Sequence, residues 1–246
     1  MQCLFLSVAV IFLGCFAIPV NLNAQDAAYY NNRGVDWCIK GKYDKAITDY
    51  NQALVIKPNY AQAYSNRGTA WNDIGDYDRA IADLSQALRL KPNFFTAYRT
   101  RGIAWTKKRD YDRAIADFNQ ALRLNPNSAD IYLKLGVVWS IKGEHDKAIA
   151  DFNKALTINP NDVDSYCERG FTWAQKGEYD KAVADYNHAL AINPNCYLVY
   201  SNLAWLQATC PDEKYRDGRK AFVNASQAYQ LNSGKNCNDW GALAAA

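Results

Sequence analysis

One phrase recurs along the chain with few changes: Tyr64-Ser-Asn-Arg-Gly-Thr-Ala-Trp71, Tyr98-Arg-Thr-Arg-Gly-Ile-Ala-Trp105 and Tyr166-Cys-Glu-Arg-Gly-Phe-Thr-Trp173. Gly34, Gly68, Gly102, Gly136 and Gly170 stand at a constant spacing of 34, and so do Pro58, Pro92, Pro126, Pro160 and Pro194. A period of this length held through five units marks a solenoid, in which each unit buries its apolar face only against its neighbours.

Tyr64, Gly68 and Trp71, spaced by four and then three, make one helical stripe. Ala80, Leu84, Ala87 and Leu88 make a second after the break at Gly75, so each unit is expected to be a pair of antiparallel helices. Gly68 and Ala80 are small where the paired helices would otherwise be held apart. Tyr64 and Trp71 fill the space beside them, and Ala87 leaves room for the next unit. Pro92 ends the second helix, because it lacks the N–H and drives the preceding residue out of α geometry; Asn93 is the expected cap of the following helix.

These columns resemble the tetratricopeptide repeat family: Gly68, Ala80, Ala87 and Pro92, aromatics at Tyr64, Trp71 and Tyr77, and Tyr50, Phe118, Phe152 and Tyr186 in sister units. The resemblance spans residues 27 to 196 as five repeats and implies an all-α, right-handed superhelical solenoid of helix pairs. Arg109 stands where Gly41, Gly75, Gly143 and Gly177 make the turn between helices, and His145 replaces a tyrosine. Unit three is therefore expected to turn somewhat differently.

A sixth, altered unit covers residues 197 to 232. Tyr200, Ala204 and Trp205 continue a first helix, Cys210 to Gly218 intrude, and Ala221, Ala228 and Leu231 resume the second-helix columns with five extra residues between. Residues 233 to 246 read as the start of a further helix that caps the last apolar face, and the wording from Leu203 to Gly218 resembles bacterial multi-repeat proteins. At the other end, residues 1 to 24 carry no charge, and Cys3 to Val20 are nearly all apolar. That stretch reads as a signal peptide with cleavage near Asn23-Ala24-Gln25, so a periplasmic or secreted location is expected. The rival readings are an uncleaved membrane anchor, or lipid attachment at Cys15 after Phe12-Leu13-Gly14.

A formal charge of +3 without like-charged blocks gives no footprint for nucleic acid. The seven cysteines form no C-x-x-C pair, and the sequence holds no G-x-S-x-G, Walker loop, G-x-G-x-x-G or H-E-x-x-H. No metal, cofactor or catalysis is therefore expected, and His145 and His188 are read as structural. The aspartates recur in two columns, Asp44, Asp78, Asp112, Asp146 and Asp180, and Asp49, Asp83, Asp117, Asp151 and Asp185. An active site needs one asymmetric constellation, so copied acids are read as first-turn partners of the helix dipole or of neighbouring units. Arg33, Arg67, Arg101 and Arg169 are read as packing their stems while their heads stay in water.

What varies is the inward face of the first helices, where the resemblance and the stacking geometry both place a concave groove for peptides or helices. Its expected partner-binding residues are Asn32, Asn66, Thr69, Arg99, Ile103, Lys107, Lys134, Val137, Phe171 and Trp205. The series runs from polar through basic to apolar. It suggests amides for a peptide backbone, an acidic ligand group near Arg99, Lys107 and Lys134, and an apolar anchor near Phe171 and Trp205. No three successive units supply the family's lysine–asparagine carboxylate clamp. Its asparagine ladder is broken too, since that column reads Asn32, Asn66, Thr100, Lys134, Glu168, Asn202. The expected function is a non-catalytic protein-interaction scaffold; the alternative is a substrate-recruiting or regulatory module of a larger enzyme or envelope assembly.

Overall fold

A computed structural model describes residues 24–232. Among them the chain forms twelve α-helices and one short 3₁₀ turn, with no strand. The helices pair in sequence order: α1 (Ala24–Ile39) with α2 (Tyr43–Ile56), α3 (Ala61–Asp73) with α4 (Tyr77–Leu90), and α5 (Phe95–Lys107) with α6 (Tyr111–Leu124). Then α7 (Ala129–Ile141) pairs with α8 (His145–Ile158), α9 (Val163–Gln175) with α10 (Tyr179–Ile192), and α11 (Tyr197–Thr209) with α12 (Gly218–Leu231). The 3₁₀ turn Glu213–Tyr215 occupies the enlarged connection of the sixth pair. The expected signal segment with Cys3 and Cys15, and the expected capping segment with Cys237, lie outside the described residues.

Each of the first five pairs closes on its glycine. A Cβ added at Gly102 would sit 2.6 Å from the Phe118 ring, and one at Gly136 would sit 2.5 Å from Phe152. The aromatic side chain of the second helix thus lies where the first helix has none, which sets the spacing of the pair. Leu84 takes this role opposite Gly68, and the alanines of the same columns, Ala80, Ala87, Ala114 and Ala121, are fully buried.

Three expectations change. Unit three does not turn differently: Arg109 adopts φ 62°, the left-handed conformation that Gly41, Gly75, Gly143 and Gly177 adopt at φ 66–89°. The hairpin geometry is imposed by packing, so the arginine carries the strain. Asn93 does not cap α5, which starts from Phe94 without a side-chain cap bond. The asparagines that precede proline do the capping-like work instead. Asn125, Asn159 and Asn193 each accept a hydrogen bond from the backbone N–H two residues on, closing the turn around the proline.

The arginine heads, finally, are not left in water. Arg33, Arg67, Arg101 and Arg169 each donate a two-pronged hydrogen bond at 2.6–2.8 Å to Asp49, Asp83, Asp117 and Asp185 on the second helix of the same unit. A third nitrogen reaches back to the preceding unit, from Arg67 to Asn51, Arg101 to Ser85 and Arg169 to Asn153. One side chain therefore joins both helices of its unit to the unit before it, and the planar guanidinium suits that task where lysine would not. The other acid column lies in the first turn of each second helix and is bound from the next unit, Lys108 to Asp78, Lys142 to Asp112, Lys176 to Asp146 and Lys214 to Asp180.

Candidate functional site

Successive first helices (α1, α3, α5, α7, α9, α11) pack on one another more closely than successive second helices do. The stack therefore curves with the first helices inside, and their solvent-facing side chains line one concave surface.

At its amino-terminal end the amides bond mainly to each other. Asn66 donates to Asn31 at 2.9 Å and accepts from Gln62 at 2.9 Å, and Asn31 donates to Asn32 at 3.3 Å. Asn32 is exposed while Asn66 is half-buried, and the Thr69 hydroxyl donates to the Ser65 carbonyl one turn back. Some of the hydrogen-bonding capacity expected for a ligand is already used inside the chain.

In the centre, Arg99 Nε donates to Asp130 at 2.6 Å and Lys134 Nζ meets the other oxygen of the same carboxylate at 3.1 Å. Burial pushes the Asp130 carboxyl up, but the hydrogen bond from Arg99 and the charge of Lys134 outweigh it, and the net shift is downward. The basic patch read from the sequence is thus partly offset by an aspartate on α7, the helix that carries Lys134. Of the three cations expected there, Lys107 alone has no ion pair among the described residues.

Beside this triad lies a recess of about 350 Å³. Ile103 and Lys107 of α5, Leu133, Lys134 and Val137 of α7, Asp164 and Glu168 of α9, and Leu198 of α11 line it. It brings together four of the expected groove residues, Ile103, Lys107, Lys134 and Val137. A second recess, about 280 Å³, joins Phe171 to Trp205 with Asn202 between α9 and α11. Phe171 is 39% exposed and Trp205 54%, so neither is consumed by packing between helices. Thr100 and Cys167, which the same face of the sequence suggested, are buried. Glu168 was already read on the inward column of the sequence, whereas Asp164 and Leu198 were not among the expected binding residues. Their signal was present as an i, i+4 acidic pair and an apolar residue near the start of α11, but a lone apolar residue there reads equally as core.

No group of three or more His, Cys, Asp or Glu is placed to hold a metal ion among the described residues. Cys38, Cys167, Cys196 and Cys210 are free thiols. Burial pushes the Cys167 thiol well above its ordinary value, with the neighbouring Glu168 charge adding to it, which disfavours the reactive thiolate. No described helix is long and apolar enough to cross a membrane.

The architecture is that of a helical-repeat solenoid with a continuous inner face. Sequence profiles of the tetratricopeptide repeat match residues 38–71, 61–94, 100–163 and 163–196, and the chain belongs to that family. Among solved structures, MamA is 33% identical over 65% of this chain and 94% of its own, with a TM-score of 0.61. YrrB, described as a tetratricopeptide repeat protein with an unusual peptide-binding site, is 24% identical over 72% and 91% with a TM-score of 0.61. The APC/C Cut9–Hcn1 hetero-tetramer is 17% identical and covers 89% of this chain and 42% of its own, with a TM-score of 0.75. The last two support the fold alone. A search of curated proteins returns no match.

Proposed function

We propose that the protein is a non-catalytic interaction scaffold that holds a peptide or helix of another protein along its concave face. The observation that carries this reading is the pair of recesses on that face, rimmed by Leu198, Phe171 and Trp205, which stay exposed although they are large and apolar. The description of YrrB as peptide-binding agrees with it.

Affinity capture from the native cell envelope with the full chain tests it. A partner retained by the parent should be lost by Phe171→Asp with Trp205→Asp, and kept by Val55→Asp on a second helix, where Val55 is still more open to water. Equal retention by both variants would place the interaction elsewhere. We also infer export, on the uncharged first 24 residues. A mature amino terminus near Gln25, read by mass spectrometry of the native protein, is the expected result.

A further inference from the structure

The geometry points to a ligand of opposite charge to the one the sequence suggested: we propose that the recess between α5, α7, α9 and α11 receives a lysine or arginine of the bound segment against Glu168 and Asp164. Ile103, Leu133, Val137 and Leu198 hold an apolar neighbour of that residue. This rests on the groove reading above and narrows it.

Two facts carry the reversal. Arg99 and Lys134 share the single carboxylate of Asp130, so each already has a partner and one of their two charges is cancelled, while Lys107 has no ion pair among the described residues. On the facing helix α9, Asp164 and Glu168 stand one turn apart on the wall of the recess, and neither has a hydrogen bond or ion pair from its carboxylate among the described residues. Glu168 is partly buried there, and burial together with the charge of Asp164 pushes its carboxyl above the usual range. An unpaired, partly buried carboxylate at Glu168 with the exposed carboxylate of Asp164 one turn away is an unfavourable arrangement that a bound cation relieves and a bound anion worsens. Lys107 and Lys134 are the cations lining the same recess; Lys107 is carried by α5, on the far side of α7 from α9, and Lys134 shares Asp130 with Arg99. Most of the remaining lining is apolar, Ile103, Leu133, Val137, Leu198 and Phe118 beside Thr106 and Cys167, which suits the stem of lysine or arginine and an adjacent apolar side chain.

The test is selection of displayed random peptides on the immobilised full chain, followed by fluorescence anisotropy of the recovered peptides. Peptides with lysine or arginine next to an apolar residue should be enriched. Their affinity should fall about tenfold or more on Glu168→Gln with Asp164→Asn, and Glu168→Lys should turn the selection towards acidic peptides. Circular dichroism checks that each variant folds. Peptides that lose binding on Leu198→Asp but ignore the Glu168→Gln and Asp164→Asn changes would overturn the cation site and leave the groove intact. Recovery of no peptide, or only of peptides indifferent to both Leu198→Asp and Phe171→Asp, would overturn the groove reading itself.

Discussion

Gly102 and Arg109 lie seven residues apart in unit three and show two different demands on a single residue. At Gly102 the demand is space. Adding one methyl group would drive it into the edge of Phe118, a side chain only 1% exposed and unable to withdraw. Gly102→Ala is expected to destabilise the chain by about 1–3 kcal/mol in urea unfolding. At Arg109 the demand is conformation. A Cβ at the corresponding Gly41, Gly75 or Gly143 would meet nothing within 4 Å, so crowding is not the issue; the left-handed backbone is. Arg109→Gly should therefore raise the thermal midpoint, by about 1 kcal/mol of stability, without altering the fold. A neutral or lower midpoint would mean that arginine makes a compensating contact.

Among the helices, α7 departs most from the repeat, and its departure has a titrating consequence. It places Leu135 where units one, two, three and five place the arginine that binds the second-helix aspartate. Leu135 is buried with Ile131, Val138 and Phe118, and the matching Asp151 is left with a hydrogen bond from Trp139 as its support. Burial raises the Asp151 carboxyl from an ordinary 3.8 to about 6. The folded chain therefore holds this proton more tightly than the unfolded chain, so stability is lost as pH rises from about 4 through 6, and the penalty is fully present at neutral pH. Asp151→Asn should stabilise by about 1–2 kcal/mol at pH 7, with the gain shrinking as the pH is lowered towards 3.8; chemical denaturation across that range checks it. A gain that did not depend on pH would show that the carboxylate is not the cause. The same substitution in unit three, Asp117→Asn, should instead weaken the chain at neutral pH, because Arg101 would keep only Ser85 and one weakened partner.

Across the whole molecule, the units are not equally joined. Apolar clusters cross the junctions of pairs one and two, two and three, three and four, and five and six, and a buried hydrogen bond of 3.0 Å links Ser140 to Thr172 between α7 and α9. The packing of α11 against α10 is sparser, and α11 and α12 meet through a cluster of their own made of Ala204 and Ala225. Phe222 and Val223 of α12 remain exposed. In a solenoid, stability is a sum over units and neighbour interfaces, so the least joined end opens first. Native-state hydrogen exchange should show α12 and the end of α11 exchanging through a lower-energy opening than α3 to α8. Uniform protection along the stack would contradict this.

Most of the architecture was legible in the letters because a 34-residue period copies the same local constraint five times. Gly102 against Phe118, alanine columns, and proline ending each second helix act within one unit and need no knowledge of distant partners. The binding face was half legible. The residues of the inward column could be named, and Ile103, Lys107, Lys134 and Val137 do meet in one recess. Their charge state could not, since Asp130 lies 31 positions from Arg99 and reaches it only when α5 and α7 stack. The three-bond grip of Arg101 on Asp117 and Ser85 was hidden for the same reason: each partner sits 16 residues away, in opposite directions along the chain. Periodicity records what every unit must do to fold. Which charges cancel and which stay open depends on side chains meeting between units, and that distance is set by packing in three dimensions.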